Sequence, residues 1–246
     1  MTNTKRCILL DYRNDSCANC TNLCAHRISL HGLNGAGGRS AQANIPRDYR
    51  YVTLKTSPAR KDQARAYKII DEYVKTFRRH LEGGERSKSL YLWSDEPGTG
   101  KTTTAVALIN AWMSIEYLTA LKYGKQPAMT GAYFLDVTEL QTSYNLATMT
   151  DDEAGMRRIG DEIKRAQNAN FAVIDDIGTR SSTEAFTAYI HAVINGRTTQ
   201  GLPTVYTSNL PVEGMRRIFT DRLYDRIRDQ CLEIEFIGKS KRGMRK

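Results

Sequence analysis

The chain is 246 residues long, and 36 Lys and Arg against 27 Asp and Glu give it a net charge of +9. That length accommodates one domain of ordinary size plus a small appendage, with a core that needs no disulfides, and the charge suits a partner carrying phosphates or an acidic protein surface. No apolar run approaches the length of a membrane span and the opening MTNTKRC lacks the apolar core of a signal peptide, so a cytoplasmic protein with no membrane partner is expected.

Residues 1–31 carry Cys7, Cys17, Cys20, Cys24, His26 and His31, which places four of the five cysteines in the first 24 positions. In a reducing compartment such clustering favours a metal over disulfides, and a peptide this poor in large apolar residues gains its folding free energy from thiolate ligation of Zn2+. The expected ligands are Cys7, Cys17, Cys20 and Cys24, with His26 as the substitute for Cys7 and His31 at the surface. Unrelated thiols in a flexible arm are the alternative, because C-x2-C-x3-C lacks a second C-x2-C knuckle. Residues 32–50, GLNGAGGRSAQANIPRDYR, show no period and read as a flexible linker. The expected organisation is therefore a zinc-binding domain over 1–31, the linker, a main domain over 51–238 and a basic tail over 239–246.

From Ser57 a helix is predicted, with Ser57 as N-cap, Pro58 at the first helical position and apolar residues at Tyr67, Ile70, Val74, Phe77 and Leu81. Gly83 and Gly84 end it, and Lys75, Arg78 and Arg79 lie on its solvated face. The stretch LYLWSDEPGTGKTT, Leu90–Thr103, then runs from an apolar strand through a Pro/Gly turn into a helix. Gly98 and Gly100 let backbone N–H groups turn inward around an anion, Lys101 supplies a charge for the β- and γ-phosphates, and the Thr102 hydroxyl is placed to reach Mg2+. Pro97, Gly98, Thr99, Gly100, Lys101, Thr102 and Thr103 form the expected nucleotide-binding set. Asp95 stands where the G-x-x-x-x-G-K-[ST] pattern has its first glycine.

Beyond the loop a long helix is predicted over 102–122, a strand over 132–137, helices over about 138–148 and 152–168, and a strand over 171–178. A helix over 182–196, a strand over 203–209 and helical residues 213–229 follow. In CLEIEF, Leu232, Ile234 and Phe236 alternate with Glu233 and Glu235, as suits an edge strand with one wet face. Strands alternating with helices imply an α/β fold with a parallel sheet covered on both faces.

FAVIDDIG puts Asp175 and Asp176 where a buried strand leaves the sheet, beside the phosphate loop. Asp175 is expected to hold Mg2+, and Asp176 to polarise an attacking water. At the end of the next strand, TSN (207–209), the Asn209 amide is placed to reach the γ-phosphate or orient that water. In DRLYDRI, Arg222 and Arg226 lie four apart on one helical face, either offered to a phosphate or paired with Asp221 and Asp225. The last eight residues hold Lys239, Lys241, Arg242, Arg245 and Lys246 without an acid, either a solvated tail or a nucleic-acid contact.

In this order and spacing, PGTGKT (97–102), VIDDIG (173–178), TSN and DRLYDRI resemble Walker A, Walker B, sensor 1 and the arginine-finger motif of the AAA+ ATPases that load replicative helicases, the DnaC-like and DnaI-like proteins of bacteria and phages. The resemblance covers roughly residues 50–237, and the cysteine cluster is similar to the zinc-binding, helicase-contacting domain of some members. It implies an AAA+ P-loop core without a full helical lid, an ATPase using ATP and Mg2+, and a zinc-bearing first domain that grips a hexameric replicative DNA helicase. It further implies assembly into a ring or spiral, with Arg222 or Arg226 completing a neighbour's site. A single-stranded DNA channel would lie over about Gln141–Arg165, with Arg157, Arg158, Lys164 and Arg165 as contacts; an exposed basic helix is the plain alternative. Asp95 and Asp176 depart from the wider AAA+ pattern, the second as helicase loaders do. Competing readings are an IstB-type transposition helper and a zinc-bearing DNA-binding regulator switched by ATP.

Overall fold

Five short apolar segments pair side by side in the computed structural model, which describes residues 6–13, 21–178 and 183–241, the side chains of Arg217 and Arg222 excepted. They are β1 (Ser89–Trp93), β2 (Ala132–Asp136), β3 (Phe171–Asp175), β4 (Thr204–Ser208) and β5 (Cys231–Glu235). Every pairing is parallel and the order is β2-β3-β4-β1-β5. The helices are α1 (Ala25–His31), α2 (Gly38–Gln42), α3 (Ala64–Gly83), α4 (Lys101–Lys122), α5 (Val137–Met149), α6 (Glu153–Asn168), α7 (Glu184–Gln200) and α8 (Asp221–Gln230).

Alternation along the strands sends neighbouring side chains into two separate cores. Leu90, Leu92, Phe134, Phe171, Val173 and Val205 face α3 and α4, where Trp112 stacks on Phe171 with ring centroids 4.9 Å apart. Tyr91, Tyr133, Leu135, Ala172, Ile174 and Tyr206 face the apolar residues of α5 to α8. The sheet is thus the middle of three layers, as the near-continuous apolar strands require.

α4 has no wet side over most of its length: every residue from Thr103 to Ile115 is buried. Length and hydropathy alone would suit this helix to a membrane, yet 72% of its most apolar window lies inside the fold. Its outer surface is covered by the first part of the chain. Cys7, and Ile8 and Leu9 in a 3-10 turn over Ile8–Asp11, join the same core as Leu30, Ala43, Ile45 and Leu54. The Asn110 amide donates to the carbonyls of Tyr49 and Val52 at 3.1 and 2.8 Å, and His26 Nδ1 lies 2.9 Å from the Tyr117 hydroxyl.

Residues 32–50, expected as a flexible linker, are therefore structural. They form α2 and a 3-10 turn over Arg47–Tyr49, and the Ala43 carbonyl accepts from Phe134 N–H at 2.8 Å. Arg39 donates to the carbonyls of Pro127 and Ala128, both at 2.9 Å. Helix α3 begins at Ala64 and not at Ser57. The Ser57 side chain instead accepts from the Tyr67 hydroxyl at 2.6 Å and holds a turn ahead of the helix. The helical stretch over 213–229 is broken into a 3-10 turn over Val212–Arg217 and α8. In β5, Ile234 and Phe236 are buried as expected, but Leu232 is 40% exposed.

Two buried cationic or titratable side chains were not foreseen. Arg197 is fully buried and donates to the carbonyls of Ala166, Ala169 and Pro203 at 2.7, 2.7 and 2.9 Å, tying the end of α6 to the start of β4. His31, expected at the surface, has no exposed area and stacks on Tyr51 with centroids 4.4 Å apart. Burial, with Arg27 and Arg50 nearby, pulls its pKa from 6.5 down to about 4. The neutral ring contributes stability that is complete above pH 6.5 and is lost as pH falls towards 4. Denaturant melts should show a loss of roughly 2–3 kcal/mol over that window beyond that of His31→Gln; equal pH slopes in the two proteins would refute the assignment.

Candidate nucleotide site

β4 lies between β1 and β3, so the residue that ends β1, the acids that end β3 and the polar residues that end β4 emerge side by side. Gly98 and Gly100 have φ of +75° and +103°, a backbone region that favours glycine, and a side chain at Gly100 would collide with Ala59. Lys101 opens α4 and is almost wholly buried. Its ammonium donates to Asn209 Oδ1 at 2.7 Å, Glu96 O at 3.3 Å and Ser94 O at 3.5 Å. Asn209, expected to face the γ-phosphate or a water, thus holds the lysine that would do so.

On the other side of β4, Thr102 Oγ1 donates to Asp175 Oδ2 at 3.0 Å and Thr207 Oγ1 donates to Asp175 Oδ1 at 2.6 Å. The same Thr207 oxygen accepts from Asp176 N–H at 2.8 Å. Asp176 has φ of +62°, strained for a residue with a side chain, and Thr138 Oγ1 donates to its carboxylate at 3.4 Å. Beside it is a cavity of about 30 Å³, lined in part by Thr138, Gln141, Asp176 and Phe186 and large enough for a water.

Asp175 is 4% exposed, and burial pushes its carboxyl up to about 7. The hydrogen bonds from Thr207 and Thr102 oppose that push, while the charges of Asp136 and Asp176 add to it. A buried carboxylate beside a hydroxyl is a pair of hard oxygen donors, the chemistry that Mg2+ requires. Thr102 and Asp175 fit that ion, which would spread the charge of bound phosphates.

Other expected residues fall elsewhere. Thr103 points into the core, and Asp95 and Pro97 are exposed at the loop's outer edge. Arg226 donates to Asn195 Oδ1 and, at 3.5 Å, to Thr199 Oγ1, while Asp225 pairs with Arg228 at 3.5 Å. Asn195 and Thr199 belong to the last turns of α7, a helix that runs back from the phosphate-loop end of the sheet, so Arg226 sits away from this chain's own loop. Arg157 and Arg158 are exposed and pair with Glu153 and Asp152, both at 3.3 Å. Arg165 lies over the Tyr133 ring, and Lys164 borders a cleft of about 240 Å³ next to it. Cys17 and Cys20 lie outside the described residues; Cys7 is buried in the apolar core and Cys24 precedes α1. Among the described residues no group of three or more His, Cys, Asp or Glu is arranged to hold a metal ion.

The fold, a parallel sheet in the order β2-β3-β4-β1-β5 with a Gly-rich loop after β1 and two acids after β3, is shared with solved structures. Among solved structures, a primosome component of Streptococcus pyogenes serotype M3 matches with a TM-score of 0.57 and 18% identity, over 83% of this chain and 97% of its own. DnaI matches with a TM-score of 0.55 and 20% identity, over 78% of this chain and 95% of its own. The DnaC helicase loader gives 0.54 and 20%, over 78% of this chain and 100% of its own. No protein-family model and no curated sequence matches the chain.

Sequence reasoning took TSN for its asparagine and overlooked the threonine. Thr207→Val keeps the shape and deletes the hydroxyl that joins the two acids, so any ATP turnover at this site should fall about 10–100-fold, the range for losing a hydrogen bond to a charged group. Thr207→Ser should restore most of it. Equal activity of the valine and serine variants in steady-state assays would remove Thr207 from the site.

Proposed function

We propose that the chain is an ATPase that loads a hexameric replicative DNA helicase onto DNA. The observation that carries this reading is the pair of contacts Lys101–Asn209 and Thr102–Asp175–Thr207, set in a fold shared over nearly the whole of the solved chains of DnaI and of the DnaC helicase loader. The loop's N–H groups and Lys101 would bind the phosphates, Thr102 and Asp175 would hold Mg2+, and Asp176 would orient the water. In the free protein Asn209 occupies the Lys101 ammonium, so arrival of a phosphate exchanges one acceptor for another of higher charge.

Binding and turnover then separate. Lys101→Ala should weaken ATP binding at least about 30-fold, because truncating one side of a buried charged contact costs roughly 2–5 kcal/mol. Asp176→Asn should keep ATP affinity while losing about 100-fold or more in turnover. The helicase reading is tested by co-purification with the replicative helicase of the same cell: ATP-dependent capture by wild type and none by Lys101→Ala is expected. A protein that binds and hydrolyses ATP but never captures the helicase would overturn it.

The position of Arg226 on the flank of α7, away from its own loop, supports a site completed between subunits. A guanidinium offered in trans stabilises charge on the transferring phosphoryl group and makes hydrolysis wait for assembly. Mixing Lys101→Ala with the double variant Arg222→Ala/Arg226→Ala should therefore recover part of the helicase- or DNA-stimulated hydrolysis. If the two variants co-assemble and no ratio restores any, the shared site is wrong.

A further inference from the structure

Arg27 and His31 stand four apart on α1, one helical turn from each other and so on one face. That face meets Tyr51. The His31 ring stacks on the Tyr51 ring with centroids 4.4 Å apart, and the Arg27 guanidinium lies 5.9 Å from the centre of the same ring. Arg50, the residue before Tyr51, brings a second guanidinium, and its charge and that of Arg27 both bear on His31. The three side chains are buried together: Arg27 is 7% exposed, Arg50 8%, and His31 not at all. Arg47 is exposed, and its charge acts on Arg50 in turn.

The donors of this cluster outnumber its acceptors. Arg50 Nε donates to Ile45 O at 3.0 Å, but Arg50 Nη1 is buried and has no partner among the described residues. His31 Nε2 is in the same position, while His31 Nδ1 lies 3.3 Å from Ser40 Oγ. Neither Arg27 nor Arg50 pairs with an acid among the described residues. Arg197 is the contrast within the same molecule. As deeply buried, it directs Nε to Thr204 Oγ1, Nη1 to the carbonyls of Ala166 and Ala169, and Nη2 to Pro203 O. A guanidinium is costly to bury unless its N–H groups find acceptors, and a second one beside an imidazole held neutral adds repulsion to that cost. A group that only accepts and carries negative charge answers all three side chains at once.

We propose that Arg27, His31 and Arg50 form a site for a small oxyanion, inorganic phosphate, separate from the nucleotide site. Burial sets the size of the ligand: with His31 wholly covered and each arginine less than a tenth exposed, a compact anion fits where a nucleotide or a polymer does not. The four oxygens of phosphate can accept from both guanidinium groups and from His31 Nε2–H, and the exposed charge of Arg47 favours its entry. The site belongs to the layer that covers α4. Tyr49 O and Val52 O, on either side of Arg50 and Tyr51, accept from the Asn110 amide of that helix. A bound anion therefore ties α1 to a segment fastened to α4, and it stabilises the covering layer by as much as it binds.

The test uses the full chain, inorganic phosphate as the probe and sodium chloride at matched ionic strength as the control, with the His31 ring signals followed by NMR. Phosphate should shift those signals saturably and move the ring's pKa up from about 4 towards 6.5, and chloride should do neither. At ten times its dissociation constant, phosphate should raise Tm by roughly 3–6 °C over the chloride control. Arg27→Gln and Arg50→Gln should each abolish the saturable shift. Arg27 has a ring contact and no ion pair to lose, so its variant carries the test even if Arg50→Gln fails to fold. Lys101→Ala should leave the shift intact, which separates this site from the phosphate loop. A His31 response that is unsaturable or equal in chloride overturns the site, as does a saturable response retained in Arg27→Gln. A response lost in Lys101→Ala puts the phosphate at the loop and overturns it equally.

Discussion

Thr207 can accept from the Asp176 amide and donate to the Asp175 carboxylate because β4 runs parallel to β3, with Val173 opposite Val205 and Ile174 opposite Tyr206. On its other edge the same strand is in register with β1, Leu92 opposite Thr207 and Trp93 opposite Ser208. The site is therefore a property of strand order. Were β1 beside β3, Lys101 and Asp175 would be neighbours without an intermediary, and neither Asn209 nor Thr207 would lie between them. A hydroxyl and an amide placed there let a buried ammonium and a buried carboxylate each find partners without forming a closed ion pair, which would leave no charge for a phosphate and a metal ion.

Much of this was legible in the sequence because its signals are local. The apolar run, the PGTGKT turn and the period of the following helix need no distant contact to be read, and Asp175 and Asp176 follow from the end of an apolar strand. What was illegible depends on contacts between segments far apart. Residues 32–50 look like a linker because Gly, Ala, Asn and Ser have no period, yet Ser40, Ala43 and Ile45 are buried against the body. His31 looked like a surface residue, since no local pattern tells that Tyr51 will cover it. Ser57–Pro58 carries an N-cap signature, but Tyr67 and Thr104 compete for the same polar cluster, and the helix starts seven residues after Ser57.

The clearest clue to the covering of α4 lies in the sequence of the helix itself. A helix with one apolar stripe packs on a sheet and faces water; TTTAVALINAWMSI is apolar or small on every side. Such a helix packed on a sheet requires a second layer on its outer side, and among the described residues the segment ahead of α3 provides it. Ile8, Leu9, Leu30, Ile45 and Leu54 of that segment belong to the layer. The start of the chain and the main domain thus share one hydrophobic core, so loss of either face of α4 would expose the other.

The two borders of the sheet are finished in different ways. At β2, the Ala43 carbonyl accepts from Phe134 N–H and the Asn44 amide donates to Phe134 O at 3.1 Å, so a piece of loop takes the hydrogen-bonding place of a sixth strand. At β5, Glu233 and Glu235 place carboxylates along the border, and Glu233 is further engaged by Val212 N–H at 3.0 Å. A bare strand border is a template on which another chain can add itself without regard to sequence. With one border capped by the molecule's own backbone and the other lined by like charges, copies of this chain are steered away from joining sheet to sheet, and contacts between them fall to helices and loops, where side chains and not main chain decide the partner.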